Sequence, residues 1–144
     1  MLQIERIIIL KSIEIFSQIP DDVLAGLALI TEEESYPEGT ELIKEGDIGD
    51  SMYIIQSGSM RIHKGNVELA VIKAGNIFGE MTVLNPMPRT ASATTLEETF
   101  LLKIYREPFL ELMAQEPEVI KSILKVLTLR IVHQNELLKK QQIY

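Results

Sequence analysis

The chain has 144 residues, a single-domain length that still allows a substantial core. It contains no cysteine, which excludes disulfide frameworks, thiolate metal sites and thiol nucleophiles. Its net charge of −7 gives it no global pull toward nucleic acid or anionic lipid, so any anion it binds must be held by a local arrangement.

Residues 1–31 predict helices. In "PDDVLAGLALI" the apolar Val23, Leu24, Leu27, Ala28 and Ile30 recur at helical spacing. Asp21 and Asp22 fall in the first turn, where negative charge suits the helix dipole. The apolar stretch "RIIILKSIEIF" is broken by Lys11 and Glu14, is too short to span a bilayer, and is followed by no small-residue cleavage site. The expectation is a cytoplasmic chain with no membrane association of its own.

Residues 32–105 change character. Every glycine but Gly26 lies between Gly39 and Gly79, between runs of four to six strand-forming residues. "TEEESYPEGTE" reads as a solvated strand edge. "KGNV" predicts a tight hairpin, because Gly65 and Asn66 both tolerate positive φ. "VELAVI" alternates Val67, Leu69 and Val71 on one face, and "TFLLKI" alternates Phe100, Leu102 and Ile104. Short strands at even spacing predict a sandwich or roll, so the expected class is mainly β with flanking helices.

Within this zone "GNIFGEMTVLNPMPRTASA" does not read like core. Gly79 lets backbone approach a ligand without a Cβ in the way. The residues after it can form a turn or two of helix, whose free N–H groups suit a phosphate. Arg89 returns across a loop stiffened by Pro86 and Pro88, and a guanidinium there can grip two phosphate oxygens. Glu80 would be repelled by phosphate, so its natural partner is a neutral donor such as a sugar hydroxyl. A ligand combining an anionic phosphodiester with a free ribose hydroxyl satisfies both groups. The spacing equally allows Glu80 and Arg89 to pair with each other, as surface charges often do.

Residues 106–144 return to the helical period. "REPFLELMA" predicts a short helix, and Pro117 with Glu118 opens a long one. That helix carries Leu124, Leu127, Ile131 and Leu138 in steps describing a coiled-coil seam, interrupted by Gln134 with Asn135 beside it; the same spacing equally allows the stripe to pack on the roll, with Gln134 a tolerated polar position.

"FGEMTVLNPMPRTAS" closely resembles the phosphate-binding cassette of cyclic nucleotide-binding domains, and "EGDIGDSMYIIQSGSMRI" is similar to that family's preceding strands and turns. The resemblance runs from about Phe16 to the end. It implies one double-stranded β-helix (jelly-roll) domain over residues 1–144, with the cassette at 78–92. It implies that Glu80, helped by the Gly79 backbone, binds the ribose 2′-hydroxyl and that Arg89 neutralises the cyclic phosphate. Backbone N–H groups near Thr82 and Thr90, with the Thr90 hydroxyl, complete the phosphate shell, and Met81 and Ala91 belong to the same ligand-binding set. Ile62 and Leu69 match positions lining the base pocket. Thr82 departs from the family's usual alanine or other small residue, and its side chain either crowds the site or adds a donor. In the catabolite activator branch of the family, positions matching Gln134 and Asn135 meet the adenine amino group across a dimer seam. An amide can read a purine edge, since it both donates and accepts. Thr90 also suits a guanine amino group. The ligand implied is cAMP in preference to cGMP, with homodimerisation through the last helix.

The resemblance further implies a regulatory module without enzymatic activity or a cofactor. His63 and His133 lack metal-ligand spacing and are expected on the surface. Ser12, Ser17, Ser51 and Ser92 have no nucleophile-elbow context. A helix-turn-helix is not expected within this chain, so DNA binding is expected only through a fused or separate effector. The alternative is a roll with an empty cassette, serving as an interaction or oligomerisation module.

Overall fold

A computed structural model describes residues 1–142, with side chains through residue 139. The chain opens with α1 (Gln3–Ser12), a 3₁₀ turn (Glu14–Phe16) and α2 (Asp21–Leu29). Strands β1 (Thr31–Tyr36), β2 (Glu41–Ile43), β3 (Ser51–Ser57), β4 (Ser59–Lys64), β5 (Val67–Lys73) and β6 (Ile77–Phe78) follow. A short helix α3 (Glu80–Leu84) precedes β7 (Ser92–Thr95) and β8 (Thr99–Tyr105), and α4 (Arg106–Gln115) and α5 (Pro117–Gln142) complete the chain. The initial helical zone thus ends one residue before the predicted boundary, since β1 begins at Thr31.

The strands pair antiparallel in two four-stranded sheets, ordered β1-β8-β3-β6 and β2-β7-β4-β5, which gives the expected jelly roll. The acidic run supplies β1, an edge strand, as its solvated pattern predicted.

Strand β3 is buried from Ser51 to Ile55 because it is covered on both sides. Met52 and Ile54 pair with Ile104 and Leu102 and face the helices, where Leu10, Phe16, Leu24, Leu27 and Phe109 complete one core. Tyr53 and Ile55 point into the roll and join Ile43, Met60, Phe78 and Leu101 in a second core. Each fully buried large apolar side chain contributes about 1.5–3 kcal/mol. The helices therefore hold one face of the first sheet while the other face forms the back wall of the roll.

Two local expectations are corrected and one is met. His63 is buried at 8% exposure, because its ring nitrogens bond the Gly65 carbonyl and the Thr94 hydroxyl, each at 2.8 Å. The tight hairpin expected at "KGNV" is present: Lys64 pairs with Val67 around Gly65, at φ 56°, and Asn66, at negative φ. In β5, Val67, Leu69 and Val71 do not share one face, and all three are exposed, at 64%, 53% and 42%. A register shift explains Leu69: Ile62 pairs with Ala70 and His63 with Glu68, leaving Leu69 at a bulge.

Candidate functional site

The site is built where β6 runs into α3. Gly79 turns the chain at φ 80°, a conformation that favours glycine, and caps α3 so that Glu80 becomes its first residue. Phe78, just before this turn, is anchored by a stacked contact with Tyr53, their rings 5.2 Å apart and 15° from parallel. The anchor fixes the point from which Gly79 and Glu80 project.

Arg89 comes from the opposite side of the cassette loop. Its N–H donates to the Asp47 carbonyl at 2.7 Å, its carbonyl accepts from Gly46 N–H at 2.9 Å, and Pro88 bridges to Ile48. The loop between β2 and β3 therefore holds the arginine by its main chain. The side chain is buried at 8% exposure, with Nη2 donating to the Ser51 carbonyl at 2.7 Å and Nη1 to the Gly79 carbonyl at 3.3 Å. A guanidinium carries five N–H donors, so these two bonds leave donors to spare. Burial pushes its pKa down, opposed by Tyr53, Asp50 and Glu80, yet an arginine stays charged at any physiological pH.

Among the described residues no ion pair joins Glu80 to Arg89, which removes the simple pairing that the spacing also allowed. Both side chains line one cleft of about 230 Å³. One wall is apolar, from Ile43, Ile62, Ile72 and Phe78, and the other is the cassette. The cleft thus presents an anion-seeking fork, a carboxylate acceptor and an oily surface to the same small volume.

Of the residues predicted from the sequence, Ile62, Gly79, Glu80, Met81, Thr82, Arg89, Thr90 and Ala91 all border this cleft. Leu69 does not, and Ile72 is the β5 residue that does. Gln134 and Asn135 lie on the exposed last part of α5, away from the cleft lining. The sequence reading missed Gly49. A Cβ there would lie 2.4 Å from Arg89 Nε and 2.5 Å from Thr82 Oγ1. Its φ is not positive, so the requirement is for space alone, a tertiary demand that the "EGDIGD" motif marks without explaining.

Helix α5 is tied down at its start. Val119, Ile123 and Val126 are buried, Ser122 Oγ donates to the Gln18 carbonyl at 3.3 Å, and Arg130 Nε bonds Glu14 Oε1 at 3.1 Å. Beyond that contact Ile131 and Leu138 are exposed at 58% and 54%, and Leu124 before it at 56%. No helix among the described residues is long and apolar enough to cross a membrane.

With this geometry in place, the comparisons with known proteins agree. The family described as "Cyclic nucleotide-binding domain" matches residues 33–116. The chain belongs to the cyclic nucleotide-binding domain family. The "Cyclic AMP receptor protein" of Thermus thermophilus is 34% identical over 117 residues, 78% of this chain and 54% of that relative. The N-terminal domain of a transcriptional regulator from Streptomyces coelicolor A3(2) superposes with a TM-score of 0.82 at 27% identity, covering 90% of this chain and 94% of that one. The regulatory domain of Toxoplasma gondii PKA, solved with cAMP, gives a TM-score of 0.71 at 29% identity over 76% of this chain and 44% of that one. The chain spans little more than half the length of the first curated relatives it matches, 54% and 59%.

Proposed function

We propose that this chain is a non-catalytic, cytoplasmic sensor module that binds cAMP in preference to cGMP and signals through movement of its C-terminal helices. The carrying observation is the Arg89 fork: buried, charged, free of any carboxylate partner among the described residues, and lining a cleft with Glu80. Arg89 takes the cyclic phosphate with main-chain donors near Thr82 and Thr90, Glu80 accepts the ribose 2′-hydroxyl, and the base lies along Ile62 and Ile72. The relatives named for cAMP support that ligand.

Helix α5 carries Ile120, Leu124, Leu127, Ile131, Gln134 and Leu138 in alternating steps of four and three, a seam for a second copy. In such a dimer Gln134 and Asn135 of one copy reach the base held by the other. The ligand acts only through its differential affinity for two helix arrangements, and a fused or separate effector reads the change.

Titration of the protein with cAMP and cGMP, followed by calorimetry and by the thermal midpoint, tests this function. The expected result is saturable one-site binding, tighter for cAMP, with a midpoint that climbs with ligand concentration. An unmoved midpoint with millimolar nucleotide contradicts it.

A further inference from the structure

We propose that the Thr82 side chain is a positioning residue for Arg89, one that frees the guanidinium to take an anionic oxygen; this rests on the sensing function above. Thr82 is buried at 5% exposure in the wall of the cleft. Its Oγ1 donates to the Gly79 carbonyl at 3.1 Å, the same oxygen that accepts Arg89 Nη1 at 3.3 Å. Thr82 Oγ1 and Arg89 Cζ also lie 2.5 Å from one common point, the place a Cβ on Gly49 would occupy. Hydroxyl, guanidinium and the Gly49 backbone are therefore packed around a single spot.

A threonine that bonds back to a carbonyl one turn earlier is ordinary helix behaviour. Here the acceptor is not ordinary. As the N-cap of α3, the Gly79 carbonyl already accepts the helix's first backbone N–H, which leaves one of its two lone pairs for a side chain. The Thr82 hydroxyl takes that place at 3.1 Å, so the longer Arg89 contact at 3.3 Å is the surplus one. Nη1 can therefore turn toward a ligand while the carbonyl keeps both its other donors, whereas without the hydroxyl the second lone pair would hold the guanidinium back. By filling the space beside Gly49, the same side chain limits where the guanidinium can go, as a supporting shell does for a binding group. Thr82 thus adds a bond to the cassette rather than crowding it.

The test compares the unsubstituted chain with Thr82→Val, Thr82→Ser and Thr82→Ala, by calorimetric titration with cAMP and with cGMP and by the ligand-free thermal midpoint. Valine keeps the shape and removes the hydroxyl. It is expected to weaken both nucleotides by the same factor, about fivefold for one lost neutral hydrogen bond, with the ligand-free midpoint unchanged. Serine, which keeps the hydroxyl, is expected to restore the affinity. Valine binding as tightly as threonine, serine failing to restore it, or alanine binding more tightly than threonine overturns the inference, the last by showing crowding. Alanine reports the same sign should the valine variant not fold. Failure of the unsubstituted protein to bind either nucleotide overturns the sensing function and this inference together, whereas normal binding that ignores Thr82 overturns the inference alone.

Discussion

Gly49 and Arg89 are in such close contact that a single added methyl at residue 49 would come within 2.4 Å of the guanidinium Nε. The small residue on the β2–β3 loop therefore sets the depth to which the arginine sinks. Gly49→Ala forces either the loop or the fork to move. Overpacking of this kind costs roughly 1–3 kcal/mol, which corresponds to a loss of about fivefold to a hundredfold in cAMP affinity if the fork is what yields. Calorimetric affinity and the ligand-free thermal midpoint separate the two responses. A moved arginine lowers affinity with little change in midpoint, and a strained loop lowers the midpoint as well.

Glu80 faces the cleft without a basic partner among the described residues, so its carboxylate is available to a neutral donor. Hydrogen bonds to charged acceptors are worth about 1.5–3 kcal/mol. Glu80→Ala is therefore expected to weaken cAMP by about tenfold or more, while leaving 2′-deoxy-cAMP, which lacks the hydroxyl, nearly unaffected. Equal losses for the two nucleotides would show that Glu80 does not read the sugar.

Burial, and next the hydrogen bond to Glu34, push the Tyr36 phenol up from 10.0 to about 12. The folded state thus holds this proton where the unfolded chain releases it. The resulting stability is fully present below pH 10 and is lost as pH rises toward 12. The thermal midpoint of the unsubstituted protein should fall through this window more steeply than that of Tyr36→Phe, which lacks the ionisation. Parallel profiles for the two proteins would assign the alkaline loss to other groups.

Exposed Leu124 and Ile131 lie seven residues apart on α5 and, with Ile120 and Leu138, leave a long apolar edge facing solvent in the single chain. Light scattering is expected to give twice the chain mass of 16.3 kDa, and Ile131→Glu to give the single mass, since a buried unpaired charge at a seam position opposes association. A single-mass species for the unsubstituted protein rules out the seam.

The fold and much of the cleft were legible in the sequence for physical reasons. Val23, Leu24, Leu27 and Ala28 repeat at helical period and are all buried in α2. Glu80 and Arg89 stood out because lone charges beside a glycine and two prolines serve no packing purpose, and both do line one cleft. What stayed hidden depends on partners far along the chain. Leu69 was assigned to the pocket by its match to the family's strand positions, and a bulge between Ile62 and His63 shifts the register so that Ile72 lines the cleft instead. His63 is buried by a bond to Thr94, 31 residues away, that no local pattern reveals. The need for glycine at residue 49 arises only once Arg89 folds back onto it.

The central claim is that Arg89 holds an anionic phosphate in this cleft. Calorimetric titration of the unsubstituted chain and of Arg89→Ala, each with cAMP and with adenosine, addresses it most directly. The account predicts that the unsubstituted protein prefers cAMP strongly, and that Arg89→Ala loses most of this preference while its weak affinity for adenosine persists. A preference for cAMP that survives intact in Arg89→Ala would contradict it.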